Sequence, residues 1–285
     1  MNAELSVADL RFAYTRGAEE LFDGLTHRFT PGAVTALTGP SGRGKSTLLY
    51  VLGLMLTPSA GVVRLGDVDA SALPDRRRAR LRATSVGFVF QDAELDPSRP
   101  ILDSVVEPGL YAGLSRRELE GRARILLERF GLGHRAEHRP GQVSGGQAQR
   151  VAVCRALVNT PAVVLADEPT GNLDPATSLE IVKLLRRIHD SGTTIVMATH
   201  DNVIVDEMQK RVVELEDGII IRDEEGGSYV PKVVDSRDRD EREAERAHDE
   251  RDHHDDGALP PQEDRPIGEV HALDEWDDDA EDLLR

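Results

Sequence analysis

Features that would tie the chain to an oxidising compartment or to a membrane are scarce in its 285 residues. Cys154 is the single cysteine, so no disulfide can form within the chain, and a reducing, cytosolic setting is expected. The longest uninterrupted apolar stretch, residues 48–56, includes a glycine and is far shorter than the ~18 residues that a membrane-spanning helix needs. The first residues do not follow a signal-peptide pattern, and no segment repeats at a fixed period. These absences argue against a membrane-spanning, disulfide-stabilised or solenoid protein.

Basic residues are outnumbered, with 35 Lys and Arg against 52 Asp and Glu, which gives a net charge of -17. The excess is local, because residues 235–285 hold 21 of the acidic residues and only 7 arginines. The preceding 234 residues then carry 31 acidic and 28 basic side chains and are nearly neutral. Since residues 235–285 also lack apolar periodicity, they are predicted to be a disordered acidic tail that follows a folded domain of residues 1–234.

Short apolar runs alternate with longer helical patterns along residues 1–234. Val34–Thr38 and Thr194–Ala198 are predicted strands, each short and rich in branched apolar residues. In residues 175–189, by contrast, apolar side chains recur every three or four positions, as in an amphipathic helix. Residues 92–160 contain helical patterns without obvious strands and are predicted to form a helical subdomain. The alternation is typical of an α/β fold with a mainly parallel sheet.

A phosphate-binding pattern, G-x-x-x-x-G-K-[ST], lies between a predicted strand and a predicted helix. Its residues are Gly39, Pro40, Ser41, Gly42, Arg43, Gly44, Lys45, Ser46 and Thr47. In such a loop the backbone N–H groups and the helix N-terminus surround a phosphate. Lys45 is predicted to bridge the β- and γ-phosphates, and the Ser46 hydroxyl to ligate Mg²⁺. The alternative is a glycine-rich turn that merely starts a helix.

Two carboxylates, Asp167 and Glu168, follow an apolar run well downstream of the phosphate loop. Ligand chemistry in α/β sheets is usually found at the ends of such strands. Asp167 is suited to hold Mg²⁺ through its water shell, and Glu168 to orient and polarise an attacking water. An isolated Asp-Glu pair of this kind is equally compatible with a solvated turn.

A second glycine-containing helix start supplies the most discriminating signal. Ser144, Gly145, Gly146 and Gln147 offer another set of backbone donors for a phosphate. One ATP site needs only one phosphate loop, so a second one in the same chain requires an explanation. At this point the sequence resembles the ATP-binding subunits of ABC transporters, whose signature motif reads Leu-Ser-Gly-Gly-Gln. Val143 here replaces the signature leucine, and Arg43 replaces a residue that is usually small.

The resemblance covers about residues 5–229, with the motifs in the order of the family. It implies that Tyr14 stacks on adenine, that Gln91 senses Mg²⁺ and the membrane partner, and that His200 reaches the γ-phosphate. Residues 171–174 match the D-loop of the family. By this resemblance Asp174, the last of them, is expected among the nucleotide-binding residues. The implied fold is a RecA-like P-loop core with an antiparallel β subdomain and an inserted α-helical subdomain.

The family also implies the ligands and partners of the chain. ATP would be hydrolysed with Mg²⁺ in a head-to-tail homodimer, in which Ser144 and Gly146 of one copy close over ATP held by the other. A separate integral-membrane permease would be driven from the cytoplasmic face of the plasma membrane. Soluble ABC ATPases of DNA repair usually carry a long coiled coil or two cassettes, and this sequence has neither.

Residues 166–174 look like the clade of MacB, LolD and FtsE. Export or lipoprotein release of the MacB or LolD type is one reading, and a cell-division ATPase of the FtsE type with an FtsX-like membrane protein is the other. Residues 105–108 and 111–115 look more like MacB or LolD, whereas residues 197–201, 212–215 and 222–224 look like FtsE. The sequence therefore leaves the two open.

Five arginines lie close together at positions 76, 77, 78, 80 and 82. Such a run is able to bind nucleic acid or anionic lipid, but one solvated helix face is the favoured interpretation. No nucleic-acid partner is therefore expected.

Overall fold

The computed structural model of the chain describes residues 3–15 and 17–229, so the predicted tail at 235–285 lies outside the described residues. The strands are β1 Leu5–Phe12, β2 Phe22–Phe29, β3 Val34–Thr38, β4 Ala60–Leu65, β5 Val68–Asp69, β6 Val86–Val89, β7 Val163–Asp167, β8 Thr194–Ala198, β9 Arg211–Glu216 and β10 Ile219–Glu224. The α-helices are α1 Lys45–Leu52, α2 Asp75–Ser85, α3 Ile101–Ala112, α4 Arg116–Arg129, α5 Gly145–Leu157, α6 Pro175–Asp190 and α7 Asn202–Met208. Short 3₁₀ turns occupy Gly133–Arg135 and Pro140–Gln142.

A six-stranded sheet in the order β10-β9-β3-β8-β7-β6 forms the centre of the fold. Its strands are parallel except for β10, which pairs antiparallel with β9. Every residue of β3, β7 and β8 is buried, as expected for a parallel sheet that is covered on both faces. The strands β3, β8 and β7 are neighbours, so the loops that follow them meet at one edge of the sheet.

A separate antiparallel sheet in the order β2-β1-β4-β5 packs near α1 and shares its apolar core. A second region, residues 92–160, contains α3, α4 and α5 around its own cluster of buried side chains, including Leu119, Leu127 and Val151. The predicted fold class, a RecA-like α/β core with an antiparallel β subdomain and inserted helices, is therefore confirmed. No helix in the described part of the chain is long and apolar enough to cross a membrane.

The sequence patterns predict neither β2 nor α3. In β2 the inward positions include His27 beside Leu25 and Phe29, so the alternation of apolar residues is interrupted. The strand is stabilised by its antiparallel pairing with β1, an interaction that the sequence of β2 alone does not indicate. In α3 the helix contains Pro108, which normally disfavours a helix interior, yet Ile101, Val105 and other apolar side chains of its buried face hold it in place.

Candidate nucleotide-binding site

The phosphate loop, residues 39–44, joins β3 to α1 and depends on glycine at both ends. A Cβ added to Gly39 would lie 2.0 Å from the backbone oxygen of Leu215, so only glycine fits there. Gly44 is the N-cap of α1 and has a φ of 101°, which side-chain-bearing residues rarely adopt. The two glycines thus fix the path of the loop in front of the N-terminus of α1, where backbone N–H groups favour an anion.

Lys45, the first residue of α1, is the buried cation beside this loop, with 6% of its surface exposed. Its Nζ donates to the backbone oxygens of Gly39 at 2.8 Å and of Pro40 at 2.9 Å. Burial lowers the pKa of Lys45, while the nearby carboxylates of Glu168 and Asp167 act in the opposite direction. These two hydrogen bonds hold the amine against the loop. A bound phosphate would replace the two carbonyl oxygens as the partner of the amine.

Asp167 ends β7 and faces the first turn of α1. Its Oδ1 accepts a hydrogen bond of 2.9 Å from Ser46 Oγ. Burial raises the pKa of Asp167, and hydrogen bonds from Ser46 and Tyr50 oppose that rise. Among the described residues no cluster of three or more His, Cys, Asp or Glu is able to hold a metal. Mg²⁺ in phosphate sites commonly takes one or two protein oxygens together with water and phosphate, and Ser46 with Asp167 fits that donor set.

Tyr50 is a site residue that the sequence reasoning missed. It lies one helical turn after Ser46 on α1, so both side chains face Asp167. Burial and the Asp167 carboxylate raise the pKa of Tyr50 to about 12. Its ring packs 5.5 Å from that of Phe88, at the end of β6. The i, i+4 spacing places Tyr50 on the same face of α1 as Ser46, but the spacing does not determine which face meets β7.

Glu168 and His200 meet at the loops that follow β7 and β8. Glu168 Oε1 lies 2.8 Å from His200 Nδ1. The side chain of Glu168 is 13% exposed and that of His200 57% exposed. Glu168 has a φ of 46°, an uncommon conformation for a residue with a side chain, and its N–H donates to the backbone oxygen of Ala198. A carboxylate oriented in this way by an imidazole is suited to accept a proton from water.

Tyr14 and Gln91 lie at the margins of the site. The hydroxyl of Tyr14 makes a hydrogen bond with Thr47 Oγ1, and 69% of the residue is exposed. Gln91 follows β6 and is also exposed, and a Cβ built on Gly171 would be 3.2 Å from its amide nitrogen. Tyr14 is thus tethered beside α1, and Gln91 reaches the segment that follows Glu168.

Ser144 and Gln147 cap the N-terminus of α5 reciprocally. Ser144 Oγ accepts from the N–H of Gln147, and Gln147 Oε1 accepts from the N–H of Ser144. Gly145 is exposed at this helix start, whereas Gly146 is buried. Among the described residues no hydrogen bond or ion pair joins residues 144–147 to the phosphate loop. The N-terminus of α5 is therefore a capped helix start. Within one chain it is not part of the cluster of residues around the phosphate loop.

Asp174 is the N-cap of α6. Its carboxylate accepts from the N–H groups of Ala176 and Thr177 and from the Thr177 hydroxyl at 2.6 Å. The hydroxyl of Thr177, with the backbone donors, lowers the pKa of Asp174. In this structure both carboxylate oxygens stabilise the helix start, and an Asp followed by Pro ahead of an amphipathic run is a sequence signal for such an N-cap.

Comparison with known proteins identifies the family. Residues 22–171 match the model of the ABC transporter family. The chain belongs to this family. It is 51% identical to the lipoprotein-releasing system ATP-binding protein LolD 2 of Caulobacter vibrioides, over 66% of this chain and 82% of that protein. It is 43% identical to the macrolide export ATP-binding/permease protein MacB of Chromobacterium violaceum, over 70% of this chain and 31% of that longer protein.

Among solved structures, a dimeric ATP-binding cassette in a post-hydrolysis state, bound to ADP and Pi, is similar to this ABC protein with a TM-score of 0.71. The two are 33% identical, and the match covers 79% of this chain and 100% of that one. The predicted relationship to the LolD and MacB clade is confirmed. The family match and the cassette structures support ATP binding and ATP hydrolysis as the general activity.

Proposed function

We propose that this chain is the ATP-hydrolysing subunit of an ABC transporter or mechanotransmission complex and drives a separate membrane permease from the cytoplasmic face. The observation that carries the proposal is the convergence of Lys45, the Ser46–Asp167 pair and the Glu168–His200 pair on one phosphate loop. These are the groups that phosphoryl transfer to water requires, namely a cation, oxygen donors for a metal and an oriented base.

In the proposed mechanism Lys45 and the N–H groups of residues 39–44 bind the β- and γ-phosphates of ATP. Mg²⁺ bound through Ser46 and Asp167 would offset charge that develops on the phosphates. Glu168 accepts the proton of the attacking water, and His200, through its Nδ1 contact, keeps that carboxylate in position. We infer that Tyr14, whose hydroxyl bonds with Thr47, stacks on adenine, and that Gln91, which approaches Gly171, senses Mg²⁺ and the membrane partner.

The functional unit is proposed to be a head-to-tail homodimer. Residues 144–147 form a capped helix start that is not joined to residues 39–47 by any hydrogen bond or ion pair in the described part of this chain. An isolated helix start of this kind is explained if it closes over ATP held by a second copy. A similar cassette has been solved as a dimer with ADP and Pi, which supports this arrangement. Asp174, the N-cap of α6, is proposed to belong to the same nucleotide site.

Export or lipoprotein release of the MacB or LolD type is the function that the relatives support best. The MacB relative is named as an ATP-binding part and a permease joined in one protein. A cell-division ATPase with an FtsX-like partner is the alternative, which the end of the fold, residues 197–224, favours by resemblance.

Glu168→Gln tests the proposed chemistry, because the amide keeps the size of the side chain but cannot take a proton from water. ATP binding should persist, turnover should fall by at least about a hundredfold, and a dimer should accumulate with ATP and Mg²⁺. Light scattering and phosphate release measure the two effects. Glu180→Gln, on the exposed face of α6, is the matched control and should behave as wild type. Undiminished turnover in Glu168→Gln would refute the proposal.

A further inference from the structure

The turn between β9 and β10 lies beside the phosphate loop and is joined to it by an ion pair. Nη1 of Arg43, in the loop, donates to Oδ1 of Asp217, in the turn, and the two side chains are 55% and 41% exposed. In the described part of the chain, no other side chain of residues 39–44 makes a hydrogen bond or an ion pair. The Arg43–Asp217 pair is therefore the side-chain contact that ties the loop to another element of the fold.

The turn itself is a well-defined anchor. Glu216 pairs with Ile219 across it, so the connection has only two residues, Asp217 and Gly218. Their φ angles are 47° and 78°, and positive φ at both central residues is typical of the tight type I′ hairpin turn. A Cβ on Gly218 would lie 1.9 Å from the backbone oxygen of Leu21, so the turn packs directly against the residue before β2. The backbone of Asp217 is thus held in one place.

Both ends of the phosphate loop are packed against the fold. The backbone oxygen of Leu215, in β9, leaves no room for a side chain at Gly39. At the other end of the loop, the ring of Phe22 lies 3.1 Å from a Cβ built on Gly44. Residues 40–43, between these two contacts, are exposed. The ion pair therefore acts on the part of the loop that packing leaves unsupported.

Glycine gives this part of the loop many alternative backbone conformations. Gly39, Gly42 and Gly44 all have positive φ, and glycine adopts both signs of φ readily when nothing constrains it. A loop that becomes ordered only when the nucleotide arrives loses conformational entropy at that step, and its affinity falls accordingly. An ion pair that already holds the loop in one path reduces this loss.

We propose that Arg43 and Asp217 are positioning residues for nucleotide binding, whose ion pair preorganises residues 40–43 without either side chain contacting the nucleotide. This inference rests on the proposed function, and it adds to the site a residue, Asp217, that lies far along the chain from the phosphate-binding motif. If Arg43 were instead a second phosphate-binding cation, Asp217 would oppose binding, because its carboxylate draws the guanidinium away and adds negative charge. The two roles thus predict opposite effects of removing Asp217.

A double-mutant cycle on the full chain tests the proposal, with equilibrium binding of a fluorescent ATP analogue in the presence of Mg²⁺ as the measurement. Asp217→Gly removes the carboxylate and leaves Gly-Gly, a dipeptide that type I′ turns accept. Arg43→Ala and Asp217→Gly should each weaken binding about two- to fivefold, the range expected for an exposed ion pair. The double variant should bind no more weakly than either single variant, because both changes remove the same contact.

Tighter or unchanged binding in Asp217→Gly would overturn the proposal and, if Arg43→Ala weakens binding, would assign Arg43 a direct contact with phosphate. Losses that simply add in the double variant would also overturn it, since two residues that act through one ion pair cannot act independently.

Two further variants serve as controls. Arg124→Ala removes a similarly exposed ion pair, with Glu137 in the helical region, and should bind the nucleotide as wild type does. Arg43→Lys keeps a charged donor at the loop and should retain most of the wild-type affinity. Loss of affinity in Arg124→Ala equal to that in Arg43→Ala would contradict the proposal, because the effect would not be specific to the phosphate loop.

Steady-state hydrolysis gives a readout that a purely structural role would not produce. In Asp217→Gly the KM for ATP should rise by the same factor as the dissociation constant, with kcat unchanged, because the ion pair acts on binding and not on the chemical step. A fall in kcat at unchanged KM would contradict this. A wild type that binds and hydrolyses ATP without coupling between Arg43 and Asp217 rejects only this inference, whereas a wild type that does not bind ATP rejects the proposed function as well.

Discussion

At the scale of single residues, Lys45 is the side chain on which nucleotide binding depends most. Arg43, the other cation of the loop, is paired with Asp217 and does not replace it. Lys45→Ala should weaken ATP binding at least about tenfold, since a hydrogen bond to a charged group contributes about 1.5–3 kcal/mol. Equilibrium binding of a fluorescent ATP analogue measures this change.

Lys183→Ala is the control for that experiment, because Lys183 is exposed on α6 away from the loop. Its affinity for the nucleotide should equal that of wild type. Unchanged binding in Lys45→Ala would mean that residues 39–47 are not the nucleotide loop.

At this scale the sequence predicts the candidate residues whose type is dictated by their chemistry. Lys45, Asp167 and Glu168 are recognisable because each lies at a strand end or helix start that the pattern itself predicts. Tyr50 was missed, because its role depends on which face of α1 meets β7. The capping role of Asp174 was also missed, although an Asp before a Pro at the start of an amphipathic run is a sequence signal for an N-cap.

At the scale of elements, the two adjacent glycines at the start of α5, Gly145 and Gly146, differ in how closely they approach neighbouring side chains. A Cβ on Gly146 would lie 2.4 Å from Cγ2 of Thr177, whose hydroxyl is already bound to Asp174. A Cβ on Gly145 would lie at an ordinary 3.6 Å from Leu173. Gly146 therefore permits the two helices to approach, while Gly145 remains at the exposed helix start.

Gly146→Ala should lower the free energy of unfolding by about 1–3 kcal/mol, because Thr177 is β-branched and cannot move without losing its hydrogen bond. Gly145→Ala is the matched control and should leave the stability unchanged or slightly raised. Urea denaturation followed by circular dichroism compares them. Equal stabilities of the two variants would contradict the packing argument.

Strands and helices were predictable from the sequence where their own residues determine the local structure. The strands β3 and β8 have the predicted limits, since each is a short run of apolar residues and threonine, the composition of a strand buried on both faces of a parallel sheet. For β2 and α3 the sequence signal is weak, because β2 depends on pairing with β1, and α3 depends on packing that overrides Pro108.

At the scale of the whole molecule, most of the net charge lies in residues 235–285, outside the described residues. Their acidic composition gives little apolar surface to offset an ordering cost of about 1–2 kcal/mol per residue. A variant that ends at residue 234 should therefore keep the melting temperature and ATP hydrolysis of the full chain. Differential scanning fluorimetry and phosphate release check this, and loss of either property would show that residues 235–285 belong to the catalytic domain.

Each ATP site is proposed to combine the phosphate loop of one copy with residues 144–147 of another. Lys45→Ala removes the first half of the site, and Ser144→Arg blocks the second half with a long side chain. Each variant alone should be inactive. In an equal mixture, half of the dimers pair the two variants and contain one intact site, so hydrolysis should recover to about a quarter of the wild-type rate. A mixture that stays as inactive as its components would contradict the head-to-tail dimer.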